Sequence, residues 1–403
     1  ARDGSPYRLR LVAHEPTDYD HFYNVVANPV LWFVQHDLWD LPRAPAFGHE
    51  FRAAWKGYAA VNSAFADAVL DELDRQPSAI VSFHDYHLYL APRFVRDARP
   101  DALLTHFVHI PWPQSDAWRV LPDSIRTAVH AGLLANDVVG FHTARWARNF
   151  RLACRDILDI EADVEALVTA HPISVDPEEF RELAESQPVL AAEEELERSR
   201  PDRLIVRVDR TDPSKNVLRG FLAFELLLSE RPDFVGRVGM LALLDPSRQE
   251  IPEYVDYLAA IVAEAARINE RFGRVIDLQI ADDFPRSVAA YKQFDVLLVN
   301  PIYDGLNLIS KEAPLVNRRA GVLILSENAG AHEELGDWVL TVSPFDVAGQ
   351  AEALAAALEL PAEERRRRLA AIQDHVRTHD MAAWIDAQLV DADRAAERRT
   401  MPP

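Results

Sequence analysis

Short apolar runs alternate with longer amphipathic stretches along most of the chain. Three of these runs lie at residues 79–83, 102–108 and 138–141, and helical periodicity separates each run from the next. Runs that are so short and so apolar are typical of parallel strands buried on both faces. Strands that alternate with helices predict a doubly wound α/β domain, because helical crossovers join neighbouring parallel strands.

A second alternating series follows a loop-rich, acidic stretch at residues 161–192, which we interpret as a domain boundary. Strands are expected at 203–208, 237–244, 275–280, 296–299, 321–325 and 338–342. The stretch Arg8–Ala13 also predicts a strand. We therefore place one domain at residues 1–173 and another at 174–380, followed by an amphipathic helix at 381–400.

The charge and the cysteine content limit the classes of partner. The net charge of −21 argues against nucleic acid and anionic membranes, because both require a basic surface. No apolar run is long enough to span a bilayer, and no signal-peptide pattern is visible. Because Cys154 is the single cysteine, neither an internal disulfide nor a thiolate metal cluster is expected. The sequence thus predicts a cytoplasmic protein, and it leaves homo-oligomer formation open.

The basic residues are almost all arginine. Only four lysines occur among the 43 Lys and Arg residues, namely Lys56, Lys215, Lys292 and Lys311. A lysine ammonium is a compact point charge, which approaches a phosphate differently from a guanidinium. Lys215 and Lys311 fall in the two candidate motifs described next, which hints at phosphate chemistry.

The first candidate motif is residues 300–317, which follow a short predicted strand. Asp304-Gly305 favours a tight turn, and a helical pattern resumes at Leu308. A strand, a turn and a helix start direct several free N–H groups at one point, which favours anions. Glu312 lies one helical turn further on, where it can accept hydrogen bonds from hydroxyl groups such as a ribose diol. An ordinary strand-to-helix connection with Asn307 as N-cap is equally compatible with this stretch alone.

The second candidate motif runs from Arg210 to Lys215, after the predicted strand at 203–208. Two cations across a proline-containing turn can converge on a diphosphate. Charge-assisted hydrogen bonds of this type contribute roughly 1.5–3 kcal/mol each. Both motifs follow strands of the same predicted sheet, so we expect them at the same carboxyl edge.

The third candidate site lies at the strand ends of the first domain, where His84, Asp85 and His109 are found. Ligands of doubly wound sheets bind beyond the carboxyl ends of strands. The pairs His84-x-x-His87 and His106-x-x-His109 also suggest a metal hydrolase. However, His106 and His109 are expected to face opposite sides of an extended strand, and no Glu is placed to activate water. We therefore expect no metal site and interpret His106 as a core histidine.

Taken together, these motifs resemble the trehalose-6-phosphate synthase family. The residues that carry the resemblance are His84-Asp-Tyr-His-Leu88, His109-Ile-Pro-Trp-Pro113, Arg210 with Lys215, and Asp304-Gly-Leu-Asn-Leu-Ile-Ser-Lys-Glu312. The resemblance extends from Asn28-Pro-Val-Leu-Trp32 to the last helix. It implies the GT-B fold, in which two Rossmann-like domains face each other across a cleft and the helix at 381–400 completes the first domain.

The resemblance implies a retaining, metal-independent transfer of glucose from a nucleotide sugar to glucose 6-phosphate, without a cofactor. The family's reaction is described as a front-face attack in which the donor phosphate takes the acceptor's proton. This agrees with leaving-group stabilisation by preorganised cations. It also agrees with the lack of paired carboxylates of the glycosidase type in the sequence.

The resemblance also assigns roles at the donor side. Arg210 and Lys215 would hold the diphosphate and stabilise the charge of the leaving group. Glu312 would bind the ribose hydroxyls, while Asp304 and His109 would contact the donor sugar. The donor loop comprises Asp304, Gly305, Leu306, Asn307 and Leu308, and the backbone of the last two would bind the phosphates.

At the acceptor side, Trp55, Asp85 and Arg248 would line the site, with Arg248 on the acceptor's phosphate. The expected catalytic set is Arg210, Lys215, His109 and Asp85.

The chain departs from the family pattern at three places. The family's glycine-rich N-terminal loop has no counterpart, and since the chain opens at Ala1 without Met we expect a missing or disordered segment and not a true loss of the loop. Asp37 stands where the family usually has a tyrosine near the acceptor, and Ser174 replaces a usual glycine. Acceptor recognition is therefore less well determined than donor recognition.

Two stretches, 210–216 and 312–317, resemble an actinobacterial branch of the family. That branch includes GDP-glucose-dependent synthases and validoxylamine-phosphate synthase, a pseudo-glycosyltransferase that couples GDP-valienol to validamine 7-phosphate. The pseudo-transferase replaces the residues at Leu306 and Lys311, and both are retained here. We therefore favour a true synthase that uses GDP-glucose ahead of UDP-glucose. The pseudo-transferase and an inactive regulatory homologue are the alternatives.

Overall fold

Two parallel β-sheets organise the chain. The computed structural model describes residues 7–42, 44–160 and 168–400. Contacts divide the chain into one unit of residues 1–170 with 389–403 and another of residues 171–388. Each unit contains one sheet with helices packed against it, so the predicted α/β class is confirmed.

The first unit contains a four-stranded parallel sheet in the order β1-β2-β3-β4. Its strands are β1 Ile80–His84, β2 Leu103–Val108, β3 Val138–Phe141 and β4 Val168–Ala170. The first three match the predicted runs closely. His84 pairs with Phe107 in register, so Asp85 and His109 follow neighbouring strands at one edge of the sheet.

The helices of the first unit cover this sheet. They are α1 Pro16–Asp20, a π-helical segment His21–Leu31, α2 Trp32–His36, α3 His49–Arg75, α4 Ala91–Ala98, α5 Ser115–Trp118, α6 Asp123–Leu133 and α7 Ala144–Leu158. Helix α7 begins after Thr143, whose hydroxyl accepts a hydrogen bond from the Trp146 N–H at 3.1 Å. This is the usual role of an N-cap threonine.

The second unit contains a six-stranded parallel sheet in the order β10-β9-β8-β5-β6-β7. Its strands are β5 Arg203–Arg210, β6 Val238–Asp245, β7 Ile276–Ile280, β8 Val296–Val299, β9 Val322–Ser326 and β10 Leu340–Val342. The chain builds outward from β5 in one direction and then from β8 in the other. The topological switch point therefore lies between β5 and β8, where ligands of such sheets bind.

Both faces of the second sheet are buried, which explains the nearly continuous apolar runs of its strands. Leu204 and Val206 belong to the core on one face, while Ile205 between them belongs to the core on the other. The helices of this unit are α8 Pro177–Ala184, α9 Gln187–Ser199, α10 Val217–Glu230, α11 Pro252–Phe272, α12 Phe284–Gln293, α13 Ile309–Val316, α14 His332–Leu335, α15 Val347–Glu359 and α16 Ala362–Thr378. Helix α17, Met381–Thr400, begins in this unit, and its residues from 389 onward belong to the first unit. None of the helices in the described ranges is long and apolar enough to cross a membrane.

The predicted strand Arg8–Ala13 is wrong. The segment is irregular, and Leu9 and Leu11 are 70% and 84% exposed. Arg10 instead forms ion pairs with Asp71 and Glu72 on α3. A run that alternates arginine with leucine lacks the continuous apolar character that burial between two helical layers requires.

The prediction of a loop-rich stretch at 161–192 is also wrong in part. Residues 161–167 lie outside the described residues, but α8 and the start of α9 fall within the rest of this stretch. Asp176 caps α8 by accepting hydrogen bonds from the Glu178 and Glu179 N–H groups, and Pro177 occupies the first helical position. An aspartate followed by proline and two glutamates is a helix-start signal, which the acidic composition obscured.

Candidate active site

The loops after β5 and β8 meet at the switch point of the second sheet. Arg210 is the last residue of β5, and Asp304 lies in the loop that follows β8. The Ile302 N–H donates to the Ser214 carbonyl at 2.8 Å and joins the two loops directly. The structure thus brings together the two motifs that the sequence placed at the same sheet edge.

Lys215 and Asp304 form the closest ion pair between these loops. The Lys215 Nζ lies 2.5 Å from Asp304 Oδ2, and the Asn307 side-chain amide donates to the same oxygen at 3.0 Å. Both partners of the ion pair are largely buried. An ion pair of this kind fixes the ammonium group between the two loops, where water is partly excluded.

Asp212 lies beneath Arg210 and is fully buried. Its Oδ2 is 3.3 Å from an Arg210 guanidinium nitrogen and 3.7 Å from an Arg248 guanidinium nitrogen. Burial raises the pKa of Asp212, and the nearby Arg210, Arg248 and Lys215 oppose that rise. Arg248 also donates to the Tyr254 hydroxyl and is only 9% exposed, whereas the Arg210 side chain is 48% exposed.

Arg207 is a buried cation that no sequence motif singled out. Its guanidinium donates to Asp209 at 2.7 Å, to the Lys215 carbonyl at 3.0 Å and to the Val217 carbonyl at 3.3 Å. These bonds fix the turn that carries Lys215 and the start of α10. An arginine inside an otherwise apolar strand was the available signal, since such a charge requires a buried partner.

Asn216 holds the other side of the same turn. It has a left-handed backbone conformation with φ of 58°, which asparagine tolerates better than most residues. Its side-chain amide donates to the carbonyls of Asn300 at 2.9 Å and Pro344 at 2.7 Å, while Asn300 donates to Gln350 at 2.7 Å. This amide network links the end of β8 to the loop after β5.

The backbone of the donor loop is held by a close approach between two segments. The Gly330 N–H donates to the Asp304 carbonyl at 3.0 Å, and the Asp304 N–H donates to the Asn328 carbonyl at 3.2 Å. A Cβ at Gly330 would lie 1.9 Å from the Gly305 carbonyl oxygen, so only glycine fits. The position of Gly305 thus depends on the absence of a side chain at Gly330.

Asn307 combines the two roles between which the sequence could not decide. It adopts φ of 85°, and its side-chain oxygen accepts a hydrogen bond from the Ser310 N–H at 3.3 Å, as an N-cap does. Among the described residues, the backbone N–H groups of Asn307 and Leu308 have no acceptor. Free N–H groups at the start of α13 suit an anion.

Glu312 and Lys311 are neighbours on α13 with different surroundings. Burial raises the pKa of Glu312 to about 7, and within the described chain its carboxylate forms no hydrogen bond or ion pair. Lys311 is fully buried, donates to the Ile173 carbonyl at 2.9 Å and pairs with Glu334 at 2.7 Å. The scarcity of lysine therefore does not mark Lys311 as a phosphate ligand, because its ammonium serves internal packing.

Asp85, in the first unit, has a strained backbone. Its φ of 64° and ψ of 179° lie in a region that is populated almost only by glycine. The His106 ring donates to the Asp85 carbonyl at 3.0 Å, and the Asp85 carboxylate accepts from the backbone N–H of His109 at 3.2 Å. These contacts hold the carboxylate at the end of β1 in spite of the strain. His106 is buried, as expected for a core histidine.

His109 is neutral and bonded to His84. Their facing ring nitrogens are 2.9 Å apart, so one ring donates a hydrogen bond to the other. Burial lowers the pKa of both rings and brings that of His109 to about 4. Within the described ranges, no three His, Cys, Asp or Glu side chains are grouped to hold a metal ion.

Trp55 lies on α3, where its ring stacks on Tyr58 with a centroid distance of 5.0 Å. The Tyr58 hydroxyl donates to the Tyr86 carbonyl at 2.8 Å. Asn62, one turn further along α3, accepts from the Leu90 and Ala91 N–H groups. Helix α3 therefore supports the segment after β1 that begins with Asp85.

The predicted residues divide between the two units. Trp55, Asp85 and His109 belong to the first unit. The second unit contains Arg210, Lys215, Arg248, Glu312 and the donor loop. Asp212 contacts Arg210 and Arg248, and Asp304 of the donor loop contacts Lys215. Glu312 takes no part in these contacts.

Each unit is an α/β domain built on one parallel sheet, which is the class of domain that GT-B glycosyltransferases contain. A family model described as glycosyltransferase family 20 matches residues 4–394, and the chain belongs to that family. The predicted family and fold are thus confirmed.

The chain is similar to relatives of two kinds. It is 33% identical to a validamine 7-phosphate valienyltransferase from Streptomyces hygroscopicus subsp. jinggangensis, over 98% of this chain and 82% of that protein. It is 34% identical to a bifunctional trehalose-6-phosphate synthase/phosphatase from Thermoproteus tenax, over 94% of this chain and 53% of that protein.

Solved structures agree with this membership. A UDP-forming alpha,alpha-trehalose-phosphate synthase from Burkholderia xenovorans in complex with glucose-6-phosphate is 31% identical, with a TM-score of 0.82 over 94% of this chain and 85% of that chain. A UDP-forming synthase from Burkholderia vietnamiensis is 29% identical, with a TM-score of 0.86 over 99% of this chain and 91% of that chain.

The raised pKa of Glu312 predicts a stability effect. Between the unfolded value near 4.5 and the folded value of about 7, the folded state binds the extra proton, so the stability contribution of Glu312 falls as pH rises. Glu312→Gln removes this penalty. From pH 5.5 to pH 8, the wild type should lose on the order of 2 kcal/mol of unfolding free energy relative to the variant. Denaturant titrations at both pH values measure the difference, and a constant difference would refute the shift.

Proposed function

We propose that the protein is a retaining glycosyltransferase that moves glucose from a nucleotide sugar to glucose 6-phosphate and forms trehalose 6-phosphate. The observation that carries this proposal is the meeting of Arg210, Lys215 and the free N–H groups at the start of α13 at one switch point. Such a set suits a diphosphate. The names of the Burkholderia relatives supply the reaction, and one of them is described with glucose-6-phosphate.

On the donor side, Arg210 and Lys215 bind the diphosphate and stabilise its charge as it leaves. The Lys215 ammonium, held by Asp304, is already in place before the ligand arrives. The N–H groups of Asn307 and Leu308 bind a phosphate oxygen, and Glu312 accepts from the ribose hydroxyls. Preorganised cations of this kind reduce the reorganisation needed in the transition state.

On the acceptor side, Asp85, Trp55 and Arg248 bind glucose 6-phosphate, with Arg248 on the phosphate. His109 is neutral, so it acts towards the donor sugar through hydrogen bonds and not through charge. In the transfer, the bond between the glucose C1 and the diphosphate oxygen breaks as the acceptor hydroxyl forms its bond to C1 on the same face. The hydroxyl proton passes to the departing phosphate, so the nucleoside diphosphate is released. We propose that neither a metal nor an organic cofactor takes part.

For the nucleotide, we propose GDP ahead of UDP. The stretches 210–216 and 312–317 support this choice through their likeness to the GDP-dependent branch. The relatives described as UDP-forming argue for testing both nucleotides.

A second candidate function is pseudo-glycosyl transfer to an amino-cyclitol phosphate. The relative described as a validamine 7-phosphate valienyltransferase favours it, because the match extends over nearly the whole chain. Leu306 and Lys311, which the pseudo-transferase replaces, favour the synthase.

Loss of either phosphate cation should slow transfer. Arg210→Ala and Lys215→Ala should each lower kcat by about 10²–10³-fold, because charge on the leaving group is no longer neutralised. Steady-state rates of nucleotide release measure this effect. Arg237→Ala is the matched control, since Arg237 is exposed and precedes β6 at the opposite edge of the sheet. Wild-type rates in both site variants would refute the diphosphate assignment.

A donor and acceptor panel separates the candidate functions. The protein is offered GDP-, UDP- and ADP-glucose with glucose 6-phosphate, and GDP-valienol with validamine 7-phosphate, while nucleotide release is followed. We expect the highest kcat/KM with GDP-glucose and glucose 6-phosphate. Release with the cyclitol pair alone would establish the second candidate, and no release with any pair would support an inactive homologue.

A further inference from the structure

Asp212 occupies an unusual position for a carboxylate with no expected role in binding. It is fully buried, and its Oδ1 accepts from the Ser214 N–H and hydroxyl groups at 3.3 Å each. Its Oδ2 approaches Arg210 and Arg248 at 3.3 and 3.7 Å but forms no hydrogen bond with the described residues. One carboxylate oxygen is thus hydrogen-bonded within its own turn, and the other faces two guanidinium groups.

Burial of a carboxylate without a strong hydrogen bond costs free energy unless opposite charges lie close to it. Asp212 is the carboxylate that contacts both Arg210 and Arg248. Arg210 is the proposed ligand of the donor diphosphate, and Arg248 is the proposed ligand of the acceptor phosphate. The two guanidinium groups would repel each other without the negative charge between them.

We propose that Asp212 is a positioning residue that holds Arg210 and Arg248 on one shared carboxylate and so sets the two phosphate-binding cations relative to each other. This inference rests on the proposed function of the site. The carboxylate also competes with phosphate for the same cations. It therefore weakens ground-state binding of the nucleotide while it keeps Arg210 where the charge of the leaving group develops.

The test is Asp212→Asn in the whole chain. An asparagine keeps the acceptor for Ser214 but removes the charge between the arginines. We expect the Kd of GDP and of UDP, measured by calorimetry, to fall by about threefold or more, because competition for Arg210 is lost. We expect kcat to fall by about tenfold or more, because the guanidinium is no longer held in place.

Two controls separate positioning from general stability. Asp233→Asn breaks another carboxylate–arginine pair, with Arg231 at 3.0 Å, in the short 3-10 helix Pro232–Phe234 before β6, and should change neither quantity. In the Arg210→Ala background, Asp212→Asn should cause little further loss of kcat, since the two residues act through each other.

The proposal is overturned if Asp212→Asn leaves kcat unchanged, if it weakens nucleotide binding, or if its effect adds fully to that of Arg210→Ala. If the asparagine variant does not fold cooperatively, Asp212→Ser is measured in its place under the same criteria. The nucleotide titration uses GDP or UDP alone. Failure of the proposed transfer reaction would therefore appear with the wild type in the donor and acceptor panel, whereas failure of this inference appears in the nucleotide affinity and kcat of the variant.

Discussion

The second unit depends on the pairing of buried charges at the switch point of its sheet. Two ion pairs lie where the loops after β5 and β8 meet. Arg207 pairs with Asp209, and Lys215 pairs with Asp304. Burial raises the pKa of Asp209, and the cation of Arg207 opposes that rise. Removal of one member of such a pair leaves an uncompensated charge, which typically costs about 3–5 kcal/mol. These pairs therefore hold Lys215, one of the two proposed diphosphate cations, in place before any ligand binds.

The first unit stabilises its site by a different means. Asp85 has a backbone conformation that costs about 1–3 kcal/mol for a residue other than glycine. Hydrogen bonds from His106 and His109 and the support of α3 offset that cost. Backbone strain of this kind clusters at active and ligand-binding sites, which agrees with the role proposed for Asp85. In both units, side chains buried within one sheet position polar groups at its carboxyl edge.

The sequence predicted the order of the elements well, because strands buried on both faces have an unmistakable apolar pattern. It also placed Arg210, Lys215 and Asp304 at one sheet edge, since parallel strands align their carboxyl ends. It could not predict that Asp212 faces two arginines, because Arg248 lies on a different loop and the contact depends on tertiary packing. Nor could it show that Lys311 is buried against Ile173 and Glu334, because both partners are distant in the sequence and only tertiary packing brings them to α13. The error at Arg8–Ala13 arose because period-two alternation alone does not provide a neighbouring strand.

The central claim is that the switch point of the second sheet binds a nucleoside diphosphate through its phosphates. The most direct measurement compares thermal unfolding of the protein with GDP or UDP against unfolding with guanosine or uridine at equal concentration. A ligand at a hundredfold its Kd stabilises the native state by about 2.7 kcal/mol. The account predicts that the diphosphates raise the Tm and that the matched nucleosides leave it nearly unchanged. Equal stabilisation by nucleoside and diphosphate, or none by either, would contradict it.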